Sequence, residues 1–81
     1  MKIRLLFFAI LRDITGTDQQ ELEVPQGTSA TQLWELLRSR YPRLSGYSHP
    51  PMVAVNESFA SPESILAEGD VVAFIPPVSG G

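Results

Sequence analysis

An α+β fold, one small mixed sheet crossed by a single long helix, is what this sequence predicts, on three observations. Residues 29–41 carry one capped amphipathic helix. Short apolar stretches of β character stand near both ends of the chain, closed by turn residues or proline. At 81 residues the chain is long enough for one core and too short for a second. Hydrophobic residues make up 43% and charged residues 19%, the balance of a chain that folds.

Residues 3–8 are an apolar, β-compatible run whose alternation turns Ile3, Leu5 and Phe7 toward a core and Arg4, Leu6 and Phe8 to the other face. Two large apolar side chains on a face begun by Lys2 and Arg4 are unexpected. In residues 9–17 the spacing of Ile10, Leu11 and Ile14 suits one or two helical turns closed by Gly16 as a C-cap. Residues 18–20 read as a polar turn. A second strand follows over 21–24, with Leu22 and Val24 inward, Glu21 and Glu23 outward, and Pro25 ending it. Ser29 with Gln32 three residues on fits a capping box, and Thr28 is an equal candidate for the N-cap. Ala30, Leu33, Trp34, Leu37 and Tyr41 then fall on one helical stripe, with Glu35, Arg38 and Ser39 opposite, until Pro42 stops the helix. That stripe should cover the sheet.

Residues 43–51 read as an irregular loop. They carry the only histidine, His49, which with no carboxylate cluster beside it reads as a solvated side chain rather than a ligand or base. Residues 52–55 are a third strand ending in an Asn56-Glu57 turn, with Phe59 just beyond. Residues 62–66 suggest a helical or 3₁₀ turn, 67–70 a tight turn and 71–75 the final strand. A long helix crossing a mixed sheet of four or five strands, with the first and last strands central and parallel, is the β-grasp arrangement of an α+β roll. The strand order does not follow from composition or period. Where it holds, Val72 and Phe74 share the core face with Leu5 and Phe7, while Val71, Ala73 and Ile75 share the open face with Leu6 and Phe8. Phe59 can join that face. A patch of Leu6, Phe8, Phe59 and Ile75 is too apolar to stay wet without a reason.

Composition excludes several functions. The absence of cysteine removes disulfides, iron–sulfur clusters, thiolate zinc sites and cysteine nucleophiles. With net charge −3 and the basic residues scattered as Lys2, Arg4, Arg12, Arg38, Arg40 and Arg43, no basic stripe exists for nucleic acid. No apolar run reaches the roughly 18 residues of a membrane span, and the start of the chain lacks the pattern of a secretory signal. A soluble, cytoplasmic protein is expected. There is no glycine-rich phosphate loop, and no Ser-His-Asp set that the one histidine could sustain stands out beyond chance. Glu57, Glu63, Glu68 and Asp70 sit at turns, as solvated carboxylates do, rather than as metal ligands. A self-sufficient enzyme is not expected.

The domain is expected to span residues 1–75, leaving 76–81 as an extended tail. Pro76 and Pro77 hold φ near −65° and favour polyproline II. At roughly 3.1 to 3.4 Å per residue, the stretch from Pro76 to Gly81 reaches about 20 Å from the packed body. Gly80 and Gly81 lack a Cβ, so a partner can close around them in a slot too narrow for a side chain. Two readings stay open on these grounds: a frayed end, or a carboxylate presented at arm's length.

Three segments carry a resemblance. Phe8-Ala9-Ile10-Leu11-Arg12-Asp13-Ile14-Thr15-Gly16, Ala54-Val55-Asn56, and the stretch from Leu66-Ala67-Glu68-Gly69-Asp70 through Pro76-Pro77-Val78-Ser79-Gly80-Gly81 resemble the small subunit of molybdopterin synthase, the MoaD family, across essentially the whole chain. Asp13 stands where that family often has Glu, and Ser79 where Thr is frequent. The stretch from 46 to 51 carries no family motif.

The resemblance implies a ubiquitin-like β-grasp sulfur carrier that is not itself catalytic. A MoeB-like, E1-like adenylyltransferase would activate the Gly81 carboxylate with MgATP, and a sulfur donor would convert the acyl-adenylate to a thiocarboxylate. The MoaE-like large subunit, in a heterotetramer, would then use that sulfur on cyclic pyranopterin monophosphate to form molybdopterin. It implies no cofactor or metal bound by this chain itself. Pro76, Pro77, Val78, Ser79 and Gly80 would form the inserted tail, and Leu6, Phe8, Phe59 and Ile75 are the interface candidates taken from the strand faces. The alternatives are a carrier of the thiamine-pathway (ThiS-like) type, a tRNA-thiolating or protein-conjugating modifier, and a non-reactive binding module on the same patch.

Overall fold

The computed structural model describes residues 1–46 and 51–75. The expectations about His49 and the tail 76–81 fall outside the described residues. Among the described residues, five strands and two α-helices follow one another as β1 (Lys2–Phe7), α1 (Ala9–Thr15), β2 (Gln19–Glu23), α2 (Ala30–Arg40), a 3₁₀ helix (Pro42–Gly46), β3 (Met52–Val55), β4 (Ser58–Ala60) and β5 (Val71–Ile75).

Alternation sets the faces. Along β1, Ile3, Leu5 and Phe7 are buried while Lys2 and Arg4 are exposed. The strands form one sheet in the order β2-β1-β5-β3-β4, with β1 and β5 parallel and the other pairs antiparallel. The expected parallel pairing of first and last strands is present, and the order is that of a β-grasp fold. Leu5 lies opposite Val72 and Phe7 opposite Phe74, all four buried.

The helix α2 covers that face because its start is specified twice. Ser29 Oγ accepts from Gln32 N at 3.1 Å and Gln32 Oε1 accepts from Ser29 N at 2.9 Å, which settles the N-cap on Ser29 rather than Thr28. Leu33, Trp34 and Leu37 are buried, and the Trp34 ring lies against Phe74 with centroids 5.1 Å apart. Burying these side chains, at about 1.5 to 3 kcal/mol each, holds the helix down better than its own propensity does.

Several local expectations change. Residues 43–51 are not all irregular: Pro42–Gly46 is a 3₁₀ helix, Leu44 N donates to Tyr41 O at 2.9 Å and Leu44 is buried. Pro42 ends α2 and also starts this turn, since proline lacks only an N–H that a first helical position leaves unpaired. Residues 62–66 are not helical beyond one turn, closed by Ser64 N donating to Ser61 O at 3.0 Å. The segment runs extended along the start of α2, where Pro62 O accepts from Thr31 N at 2.9 Å and Ser64 O from Ala30 N at 3.0 Å. Its carbonyls serve two N–H groups that a helix's first turn leaves without partners.

The strand limits shift as well. β2 begins at Gln19, so the expected polar turn at 18–20 is largely strand. Phe8 has left β1 and is the N-cap of α1. Phe59 lies just beyond the Asn56-Glu57 turn as expected, within a short strand, β4, that was not anticipated, and Gly16 closes α1 at φ 80° with its N–H donating to Arg12 O, as expected.

Candidate functional site

The open face of the sheet gathers Phe8, Met52, Phe59 and Ile75, four of the six exposed large apolar side chains among the described residues, Ile10 and Ile65 being the others. Gln19, Leu6, Ala73, Ala54 and Phe59 are successive register partners, one row running through all five strands. Because side chains directly opposite one another share a face, Phe59 stands on the same side as Leu6. Met52 pairs with Ile75 one step along. Phe8 is 51% exposed, Phe59 71%, Met52 59% and Ile75 36%, and Leu6 is half-buried. The side chains that sequence alternation assigned to the open face all lie there.

They do not form one hollow. Leu6, Phe8 and Ile75 line an open cavity of about 250 Å³ together with Ala54, Ala73 and Glu57. Phe59 instead borders a neighbouring depression beside Met52 and Pro62. Met52 was missed, although the inward Val53 beside it implied an outward neighbour. Ala73 was placed on the open face though not among the interface candidates, and Ala54 and Glu57 were missed, because an alanine and a turn glutamate carry no signal until the strands are paired.

Local sequence explains the placement. Phe8 carries extended backbone at φ −122° and ψ 155° with no side-chain cap bond, and its carbonyl accepts from Leu11 N at 3.0 Å. Strand β1 thus turns directly into α1, and the ring remains beside the end of β5. Asn56 ties the other margin down: its N–H donates to Val71 O at 2.8 Å, its Oδ1 accepts from Val71 N at 3.0 Å and its Nδ2 donates to Asp70 Oδ1 at 2.9 Å. Asp70 Oδ2 in turn accepts from Ala67 N at 2.8 Å. The expected tight turn at 67–70 is present, with Gly69 at φ 82°. These bonds hold the entry to β5, the strand from whose far end residues 76–81 continue.

Arg4 Nη2 is 3.3 Å from Glu21 Oε1, a surface pair of little energetic weight. Among the described residues no three His, Asp or Glu side chains are grouped so as to hold a metal ion, and no helix is long and apolar enough to cross a membrane. A separate hollow of about 390 Å³ between residues 24–28 and α2 is lined by Pro25, Gln26, Gln32 and Leu36 among others and contains no titratable side chain.

Comparison with known proteins places the chain in a family. The sequence model of the ThiS family matches residues 5–81. The molybdopterin synthase sulfur carrier subunit of Mycobacterium tuberculosis is 38% identical over 82 residues, covering 100% of this chain and 99% of that protein. Among solved structures, SAMP1 of Haloferax volcanii superposes with a TM-score of 0.81 at 26% identity, each chain covered in full. A chain from the complex of subunits 1 and 2 of the molybdopterin-converting factor of Helicobacter pylori superposes at 0.65 over 100% of both chains, and at 21% identity it speaks to the fold alone. Matched nearly end to end in sequence and in full in fold, the chain belongs to the ThiS family and resembles the sulfur carrier subunits of molybdopterin synthase.

Proposed function

We propose that this chain is the sulfur carrier of molybdopterin synthase, presenting a thiocarboxylate at Gly81. The observation that carries the proposal is positional. The apolar open face reaches its end at Ile75, the residue from which 76–81 continue, so a partner covering Leu6, Phe8 and Ile75 also meets the start of the tail. The full-length likeness to a molybdopterin synthase sulfur carrier subunit favours this carrier over one of the thiamine-pathway type.

The chemistry follows from the functional groups. A carboxylate is a poor electrophile. Attack of its oxygen on the α-phosphorus of MgATP, in an E1-like partner, releases pyrophosphate and makes AMP a leaving group. A sulfur donor then displaces AMP, and the thiocarboxylate is a good nucleophile at neutral pH. The large subunit supplies the catalytic side chains and holds cyclic pyranopterin monophosphate while Pro76–Gly80 insert and Gly81 delivers sulfur. The working assembly is a heterotetramer with the large subunit, and the setting is the cytoplasm.

Intact mass after incubation with the E1-like enzyme of the same genome, ATP and a sulfur donor tests the proposal. The expected change is the gain for replacement of one oxygen by sulfur. An unchanged mass with an enzyme that activates its other carriers rules the reading out.

A further inference from the structure

The hollow beside the root of the tail is shaped to receive. Its floor is Ala54 and Ala73, direct partners on β3 and β5, and Leu6, Phe8 and Ile75 stand around it. Two small side chains side by side leave the sheet surface depressed between larger neighbours, and the resulting cavity of about 250 Å³ admits one large aliphatic or aromatic side chain.

Glu57 stands at its rim. It is the second residue of the two-residue connection between β3 and β4, and Asn56 and Glu57 both have positive φ, 53° and 71°. Such turns favour glycine at the second position, because a Cβ is strained there. A charged side chain kept on disfavoured backbone points to a use beyond the fold. Glu57 makes no ion pair or side-chain hydrogen bond among the described residues. Arg4, a cation on the same face, is already paired with Glu21.

Resting on the reading that this face docks the synthase large subunit, we propose that Ala54 and Ala73 floor a socket for a single large apolar side chain of that partner, next to a partner arginine or lysine that pairs with Glu57. Shape selects the apolar side chain and the unpaired carboxylate selects the cation. The socket is continuous with Phe8 and Ile75 at the root of the tail, so filling it sets the tail's starting point against the partner. A second copy of the chain fits poorly, since its most exposed aromatic, Phe59, follows Glu57 by two residues and would bring carboxylate to carboxylate.

The test is calorimetric titration with the large subunit from the same genome at low and high salt, with melting curves for every variant. Ala73→Leu and, independently, Ala54→Leu fill the socket and are expected to weaken binding by about tenfold or more, as loss of a central apolar anchor does. Glu57→Gly relieves the strained backbone and should raise the melting temperature, yet weaken binding by about three- to tenfold and flatten its salt dependence. A purely structural Glu57 would move stability and affinity in the same direction.

Wild-type affinity in both leucine variants, or undiminished binding by Glu57→Gly, overturns the socket while thiocarboxylate formation leaves the carrier function standing. A wild-type dimer that Ala73→Leu dissolves assigns the socket to a second copy and also overturns it. If the wild-type chain neither gains sulfur nor binds the large subunit, the carrier reading and the socket fall together.

Discussion

Replacing Phe8 by aspartate separates docking from folding, and the structure allows both effects to be sized. The ring is 51% exposed, so of the roughly 200 Å² that a phenylalanine can bury, about 100 Å² faces solvent and about 100 Å² already lies against the domain. Covering the free half on docking is worth about 2.5 kcal/mol at ~25 cal/mol per Å², or about 60-fold in Kd. Losing the inner half costs the fold a similar amount, about 2.5 kcal/mol. Part of that returns, because Phe8 is the N-cap of α1, with extended backbone and no side-chain acceptor, and an N-cap aspartate contributes about 1 kcal/mol.

The net cost of about 1.5 kcal/mol lowers the melting temperature by about 6 to 12 °C. A domain of this size holds about 4 to 12 kcal/mol, so Phe8→Asp stays folded at 25 °C. Circular dichroism should therefore show a native spectrum with an earlier melt, and calorimetry with the large subunit should show affinity down by about 60-fold or more. A variant unfolded at 25 °C would mean that Phe8 belongs to the core. Unchanged affinity would mean that the open face is not the docking surface.

Other perturbations probe the fold and the tail separately. Adding one residue after Gly81, or deleting Gly81, should abolish sulfur transfer and leave the circular dichroism spectrum and melting curve unchanged; parallel loss of folding refutes the division of body from tail. Leu44→Ala should cost about 2 to 4 kcal/mol by chemical denaturation, as removal of a buried leucine does, whereas a solvated loop would show almost nothing. Asn56→Ala removes the bonds to Asp70 and to Val71 N and the residue's tolerance of positive φ, and should cost about 1 to 3 kcal/mol. Ala9, at φ 50°, should accept glycine with a gain of about 0.5 to 1 kcal/mol and a higher melting temperature.

Much of the architecture was legible in the sequence because it is specified locally. The capping box at Ser29 and Gln32 names the start of α2 through groups three residues apart, and Gly16 marks the end of α1 through its own φ. Alternation in residues 3–8 separated Leu5 and Phe7 from Leu6, with no knowledge of a partner strand. Misreadings came where local signals were weak or double. Polar Gln19 and Gln20 resemble a turn, yet an edge strand exposes such side chains freely. Pro42 signals a stop, yet it also begins a short 3₁₀ helix too brief to show a period.

What this sequence determined by itself is most of the elements and the two faces of β1, β2 and β5. Only the tertiary structure decided how those faces line up. Phe59 shares the open face with Phe8 but borders a different hollow. Ala54 and Ala73, unremarkable in the sequence, become neighbours at the floor of a cavity with Glu57 at its rim. The physical reason is that capping and alternation are properties of a few adjacent residues, whereas a cavity exists only once strands distant in sequence are paired in register, and no local pattern encodes that register.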